Sequence, residues 1–521
     1  MAVPSQVPDA ARTEFVERLR GWVLFAGAAI LAFLLYRPDT NAPFEIVDFS
    51  ETLPYLTEAR TFSDRFHGLV GYYLAHGRAA FVLSAGLAAR WTAFGWWMPG
   101  WQWVGYLIGL VVVVLCWHLL RALGANRLGA AVGASLFIVA EAVAPGWLKP
   151  QVNESLGTIL LLAASLLACR FQGAPRPYAL AVSIGALLFG LILVKETLVA
   201  TAFFPVVIAL ARDADGSFHR PTPTARNAVL AVSCTTAILL AALPIVWALT
   251  QASADGYVRQ FGSGDSVLSN ALFGVLPAVI PFTPVTPPPT WATTLADVAW
   301  VAILAAAFGP LTEGAAGRNR TVLWLALMFP IARLLVYLPW PLQFPYYSIP
   351  FLVGAAVLSS IGVTRLTSAR PSGLRLAIGA VAIVMVYASL NAHAQAQRHF
   401  ALRYLTDDLV SELHRVSRDR GIGHIVIAVP QRKSQSWTGL GPTLSRYASA
   451  TGRTLPDVRE ITCGEVPGML AANGGLILAA FKHHCAIPVG SGPVRRVRRF
   501  DLSRLREATD TLSASVSVIS P

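Results

Sequence analysis

The chain has 521 residues, 55% of them hydrophobic and only 13% charged, with a mean hydropathy of +0.56 and a formal net charge of +13. A soluble domain carries roughly 25% charged residues, so the composition excludes a disordered tail protein, a coiled coil and a disulfide scaffold and leaves a polytopic membrane protein. The 41 Lys and Arg outnumber the 28 Asp and Glu but fall in short clusters between apolar runs, which is a signature of membrane topology and not of nucleic-acid binding.

Arg12, Arg18 and Arg20 precede the apolar run Trp22–Tyr36. No small-residue cleavage site stands before Arg37, so the run reads as an uncleaved first span with a cytoplasmic N-terminus. Further spans are predicted at 101–120, 128–145, 155–170, 178–194, 197–211, 228–249, 291–310, 321–339, 346–363 and 376–391, about eleven in all. Basic residues then alternate sides. Arg121 and Arg127, Arg170 and Arg176, Arg212, Arg220 and Arg226, Arg318 and Arg320, and Arg365, Arg370 and Arg375 lie inside, whereas the outer loops hold Lys149, Lys195 and Arg259. The alternation requires that Ala79–Trp97, which contains Arg90 and runs into a Trp-rich stretch, lies at the interface instead of crossing.

With this orientation residues 37–100 and 250–290 form long outer loops of a transmembrane domain spanning 1–391. The tail, 392–521, also falls outside. Its pattern predicts a helix at Phe400–Arg420, a strand at His424–Val429, a helix at Pro442–Thr451 and a strand at Gly475–Phe481. The expected fold class is therefore mainly α, a transmembrane bundle with juxtamembrane helices and a small α/β extracytoplasmic domain. Cys116, Cys169 and Cys234 fall in apolar runs, where a thiol serves as a small hydrophobe. Cys463 and Cys485 are read as a disulfide in an oxidising compartment, and the adjacent His483 and His484 lack the further spaced ligands of a zinc site.

The polar candidates collect at the outer ends of spans. Asp48, between apolar residues after the first span, suits either a general base or an N-cap with Glu51 three residues on. Arg78 suits either a lipid phosphate or an anchor in the headgroup layer. Glu154 opens the fourth predicted span, and Lys195 with Glu196 opens the sixth on the same side, so these charges are snorkelling pairs or a phosphate and carboxylate site. Arg333 lies inside the ninth predicted span, where a cation costs about 2.5 kcal/mol or more and must face the bundle interior. Tyr346 and Tyr347 suit a sugar ring or the aromatic belt.

These features resemble the GT-C superfamily of membrane glycosyltransferases, which includes protein O-mannosyltransferases and aminoarabinose transferases. The likeness rests on an acidic residue soon after span one, on juxtamembrane helices in a long first outer loop, and on four stretches. GRAAFVLSAGLAARWTAFG (77–95) is similar to the family's "GRP…L…FG", VKETLVATAFFP (194–205) to its "KE…P", and QFPYYSIPFLV (343–353) to its "RYxxPxxP", with NESLGTILLLAASL (153–166) as the fourth. The resemblance implies inverting transfer of a sugar from a polyprenyl-phosphate carrier to a lipid, glycan or protein acceptor at the outer face of a bacterial cytoplasmic membrane. It implies Asp48 as base and Lys195 and Arg333 as holders of the carrier phosphate. The sequence departs from the pattern in carrying one acid at Val47-Asp48 and Phe344-Pro345-Tyr346 where Arg-Tyr is usual. Asp39 is therefore a rival base, and Arg333 stands in for the missing arginine. No cofactor is assigned. Some relatives use a divalent metal held by outer-loop acids, for which Asp48, Asp255 and Asp265 are the available residues. The competing classes are a flippase or transporter of lipid-linked glycans, which needs charges on both faces, and a non-catalytic envelope scaffold.

Overall fold

The computed structural model describes residues 21, 23–24, 26–40, 43–44, 52–149, 153–213, 217–218, 223–251, 291–308, 316–337, 345–369, 371–429, 440–462, 465, 476–481, 494–499 and 514–519. Asp48, Asp255, Asp265, Cys463, His483, His484 and Cys485 lie outside them, as do residues 252–290 of the expected second outer loop.

In chain order the helices are α1 (Ala26–Tyr36), α2 (Leu53–Thr57), α3 (Phe62–Ala75), α4 (Phe81–Phe94), α5 (Met98–Ala122), α6 (Arg127–Val139), α7 (Ala144–Leu148), α8 (Glu154–Arg170) and α9 (Pro177–Val194). They continue as α10 (Phe203–Ala211), α11 (Ala225–Gln251), α12 (Trp291–Ala307), α13 (Ala316–Tyr337), α14 (Leu352–Ala369), α15 (Pro371–Arg420) and α16 (Leu440–Ala450). Five stretches among the described residues are long and apolar enough to cross a membrane: Met98–Ala122, Pro177–Val194, Ala225–Thr250, Tyr346–Ser368 and Arg375–Gln397. The chain is thus a multi-pass membrane protein. At 14 residues, α4 spans about 21 Å and falls short of a ~30 Å hydrocarbon layer.

Three runs predicted as continuous spans are interrupted, each for a reason written in proline. The 128–145 run ends at Val139, turns extended at Ala140 (ψ 140°), makes a 3-10 turn over Glu141–Val143 and restarts as α7, whose Pro145 has no N–H for an i−4 bond. The 197–211 run opens as a 3-10 turn, Glu196–Thr201, and becomes α-helical only at Phe203, two residues before Pro205. The 346–363 run opens as a third 3-10 turn, Pro345–Phe351, with Pro350 inside it. Conversely, the span expected at 376–391 and the helix expected at Phe400–Arg420 are one 50-residue helix, α15, because no Gly or Pro lies between Gly379 and Gly421.

The chain divides into two units: residues 1–37, 74–82 and 104–395, and residues 38–73, 83–103 and 396–521. In the first, 83% of the apolar stretch within Tyr346–Ser368 is buried, whereas only 22% of that within Ala225–Thr250 is, and the latter presents Leu239, Leu243, Val246 and Trp247 outward. Helices approach through small residues. A Cβ on Gly133 of α6 would lie 2.6 Å from the Ala356 carbonyl oxygen of α14, and one on Gly129 would lie 2.4 Å from that of Ser360.

The second unit carries a five-stranded sheet of β1 (His424–Val429), β2 (Asp457–Thr462), β3 (Leu476–Phe481), β4 (Val494–Arg499) and β5 (Ala514–Ile519), in the order β2-β1-β3-β5-β4. β1 pairs in parallel with β2 and β3, and β5 pairs antiparallel with β3 and β4. The strands expected at 424–429 and 475–481 are β1 and β3, and β2, β4 and β5 are additional. Asp407 of α15 ties this unit together by accepting from Tyr447 Oη of α16 at 2.9 Å and from Arg453 Nη1 at 2.6 Å. Burial and the Asp407 carboxylate push the Tyr447 phenol up from its ordinary pKa, and the bond that Arg453 donates to Asp407 does the same for Arg453.

Candidate functional site

The helix interruptions of the first unit bring its polar residues together. α9 ends at Val194, and Lys195 is extended (φ −161°, ψ 123°) before the 3-10 turn that starts at Glu196. α8 begins at Glu154, so its carboxylate stands in the first turn, where the helix dipole favours negative charge. Lys195 Nζ donates to Glu154 Oε1, and the two side chains are only 5% and 4% exposed. The same ammonium lies 3.5 Å from the ring centroid of Tyr347 and 5.7 Å from that of Tyr337.

Tyr347 belongs to the third 3-10 turn and stacks on Tyr337, the last residue of α13, with centroids 5.0 Å apart and planes inclined by 12°. Tyr337 Oη and Thr197 Oγ1 share a hydrogen bond of 2.8 Å, which joins α13 to the turn after Lys195. One helical turn before Tyr337 stands Arg333, 1% exposed, with its guanidinium 5.4 Å from the Tyr337 ring and its Nε donating to Ser348 Oγ at 2.7 Å. Pro330, inside α13 just ahead of Arg333, has no N–H to donate to the Ala326 carbonyl. Gly354 of α14 packs there, so closely that a Cβ would lie 2.5 Å from that oxygen.

Arg78 and Glu196 form the accessible edge. Arg78 Nε lies 3.8 Å from Glu196 Oε1, their side chains are 26% and 20% exposed, and Arg78 acts electrostatically on Lys195. Tyr346, partly exposed, packs edge-on against Tyr347 at 4.9 Å. Three cations meet two carboxylates, a formal excess of one positive charge set among tyrosine rings and hydroxyls. Such a group attracts a phosphate and grips it more tightly as its negative charge grows.

Arg78, Glu154, Lys195, Glu196, Arg333, Tyr346 and Tyr347 are linked in the first unit by a chain of neighbouring contacts that runs through Lys195, Tyr347 and Tyr337. Thr197, Tyr337 and Ser348 join them without having been singled out from sequence. Tyr337 had a readable signal, since it follows Arg333 by four residues and shares its helix face. Asp39 belongs to the second unit, where its Oδ2 accepts from Tyr404 Oη at 2.6 Å and its backbone N–H donates to Gln102 Oε1 at 2.7 Å. Among the described residues no group of three or more His, Cys, Asp and Glu is placed to hold a metal.

No family model and no curated protein matches the sequence. Solved structures do. The oligosaccharyltransferase of Archaeoglobus fulgidus is 12% identical with a TM-score of 0.50, over 88% of this chain and 68% of that one. ArnT from Cupriavidus metallidurans is 10% identical with a TM-score of 0.49, over 96% and 98%. Arabinofuranosyltransferase AftD from Mycobacteria is 15% identical with a TM-score of 0.47, over 97% of this chain, which spans only 40% of that enzyme's length. At these identities the likeness is one of architecture alone, carried by the oligosaccharyltransferase, whose overall fold this chain shares.

Proposed function

We propose that the protein is a glycosyltransferase that moves a sugar, with inversion, from a polyprenyl-phosphate-linked donor to a lipid, glycan or protein acceptor at the outer face of a bacterial cytoplasmic membrane. The observation that carries this reading is the buried Lys195 and Arg333 pair held on stacked Tyr337 and Tyr347, with Arg78 at the accessible edge. A polyprenyl-phosphate sugar is a phosphodiester with a single negative charge. When the bond from anomeric carbon to phosphate oxygen breaks, the departing phosphate takes up a second charge. Fixed cations therefore hold the transition state more tightly than the ground state, which is the requirement for catalysis.

In this reading Arg78 touches the phosphate directly, while Lys195 and Arg333 supply the field behind it from a site where water cannot screen them. Glu154 and Ser348 orient those two cations. A carboxylate takes the proton of the acceptor nucleophile as it attacks the anomeric carbon from the face opposite the phosphate. Asp48 is assigned this role, with Asp39 as its rival. The test is transfer of labelled sugar from polyprenyl-phosphate donors by the purified protein in liposomes. Loss of transfer in Arg78→Gln and Asp48→Asn, with folding intact, is the expected result, and full transfer by both variants refutes the assignment.

A further inference from the structure

A second polar site lies at the other end of α8. Glu154 opens that helix and Arg170 closes it 16 residues on, about 24 Å away. There the first unit holds a cavity of about 640 Å³ lined by Leu115, His118 and Ala122 of α5, by Ala163, Leu166, Leu167, Cys169 and Arg170 of α8, and by Arg212 at the end of α10. The lining is divided by chemistry. Leu115, Ala163, Leu166 and Leu167 make an apolar wall one to two turns deep, and the imidazole and two guanidinium groups stand where the helices end.

We infer that this cavity binds an anionic phospholipid, with its phosphate on Arg170, Arg212 and His118 and an acyl chain along Leu115, Ala163, Leu166 and Leu167. Charge complementarity decides the occupant. The lining contains two arginines, one histidine and no carboxylate. At the same helix ends, Arg121 stands in the last turn of α5, and Arg176 precedes α9, which follows α8 in the chain. Basic pockets between transmembrane helices recognise acidic headgroups in this way.

Arg212 offers a further argument. It donates from Nη1 to the Cys169 carbonyl and from Nη2 to the Ala122 carbonyl at 2.8 Å, closing the C-terminal ends of α8 and α5. Its Nε is buried and has no hydrogen-bond acceptor among the described residues. Arg170 and His118 are exposed and make no such helix caps, so they report on binding without disturbing the packing. No reacting group of the proposed transfer lies here, so the site stands or falls independently of that function.

The experiment is native mass spectrometry of the full chain released from nanodiscs of phosphatidylglycerol and phosphatidylcholine, comparing wild type with Arg170→Gln and His118→Gln. The expected result is retention of phosphatidylglycerol over phosphatidylcholine by the wild type, with about fivefold weaker retention in Arg170→Gln, a smaller loss in His118→Gln and an unchanged melting temperature in both. Equal retention of phosphatidylglycerol by all three proteins overturns the proposal. So does its complete displacement by millimolar inorganic phosphate, which would make the site one for a soluble anion.

Discussion

Removing the charge of Glu154 tests whether the Lys195 ion pair is built as described. Glu154→Gln keeps the shape of the side chain and an oxygen for Lys195 Nζ to donate to, yet leaves an ammonium 5% exposed without its carboxylate. Breaking a buried pair from one side costs about 3–5 kcal/mol, because the surviving charge remains desolvated. The Tyr347 ring, 3.5 Å from the ammonium, survives the substitution and supplies about 2 kcal/mol of cation–π attraction, so the expected loss falls at the lower bound, about 3 kcal/mol. Lys195→Met loses both the pair and that attraction and strands the carboxylate, so it is the worse single variant. In the combined Glu154→Gln, Lys195→Met protein no charge is stranded, and its stability exceeds that of Lys195→Met alone. Reversible unfolding in mixed micelles, with all four proteins compared as a double-mutant cycle, reads these differences. Losses that add to within about 0.5 kcal/mol would refute the pair.

Tyr347→Leu removes the ring that contacts Lys195 and stacks on Tyr337 and is expected to lose about 1–2 kcal/mol in the same unfolding assay. Arg333→Lys loses the planar guanidinium over Tyr337 and the fixed bond to Ser348, and its transfer rate is expected to fall about a hundredfold at unchanged expression. Gly133→Val places a Cβ 2.6 Å from the Ala356 oxygen and is expected to lower stability by about 3 kcal/mol or more, while Gly379→Ala, with nothing within 4 Å, is expected to raise it by up to about 1 kcal/mol; thermal melts of the two purified variants check both. Asp407→Asn weakens the bonds from Arg453 and Tyr447 and is expected to cost about 1–3 kcal/mol, measured as earlier hydrogen exchange in α16.

The candidate site was legible because burying charge is expensive. Lys195, Glu196 and Arg333 stood out in apolar surroundings, and the cost of leaving them alone implied that they had partners. Which partner went with which was not legible. Lys195 neighbours Glu196 in sequence yet pairs with Glu154, 41 residues away, because the extended backbone at Lys195 turns successive side chains apart. Apolar periodicity located the helices but not their interruptions, although Pro145, Pro205 and Pro350 marked them. Proline reads ambiguously in a lipid-facing run, where neighbouring helices can satisfy the backbone groups it frees. In the second unit β1 and β3 are apolar and declared themselves, whereas β4 (Val494–Arg499) is dominated by arginine and is a strand only through its pairing with β5.

Under the proposed function the cationic cluster serves sugar transfer and not passage of a lipid through the membrane. Reconstituting the wild type, Arg333→Gln and Asp48→Asn in liposomes, with labelled polyprenyl-phosphate sugars and a reporter of lipid scrambling, separates the two. Transfer of label by the wild type, reduced about a hundredfold or more in both variants with no scrambling in any, is the expected result. Scrambling without transfer would contradict the proposed function and make the cluster part of a passage.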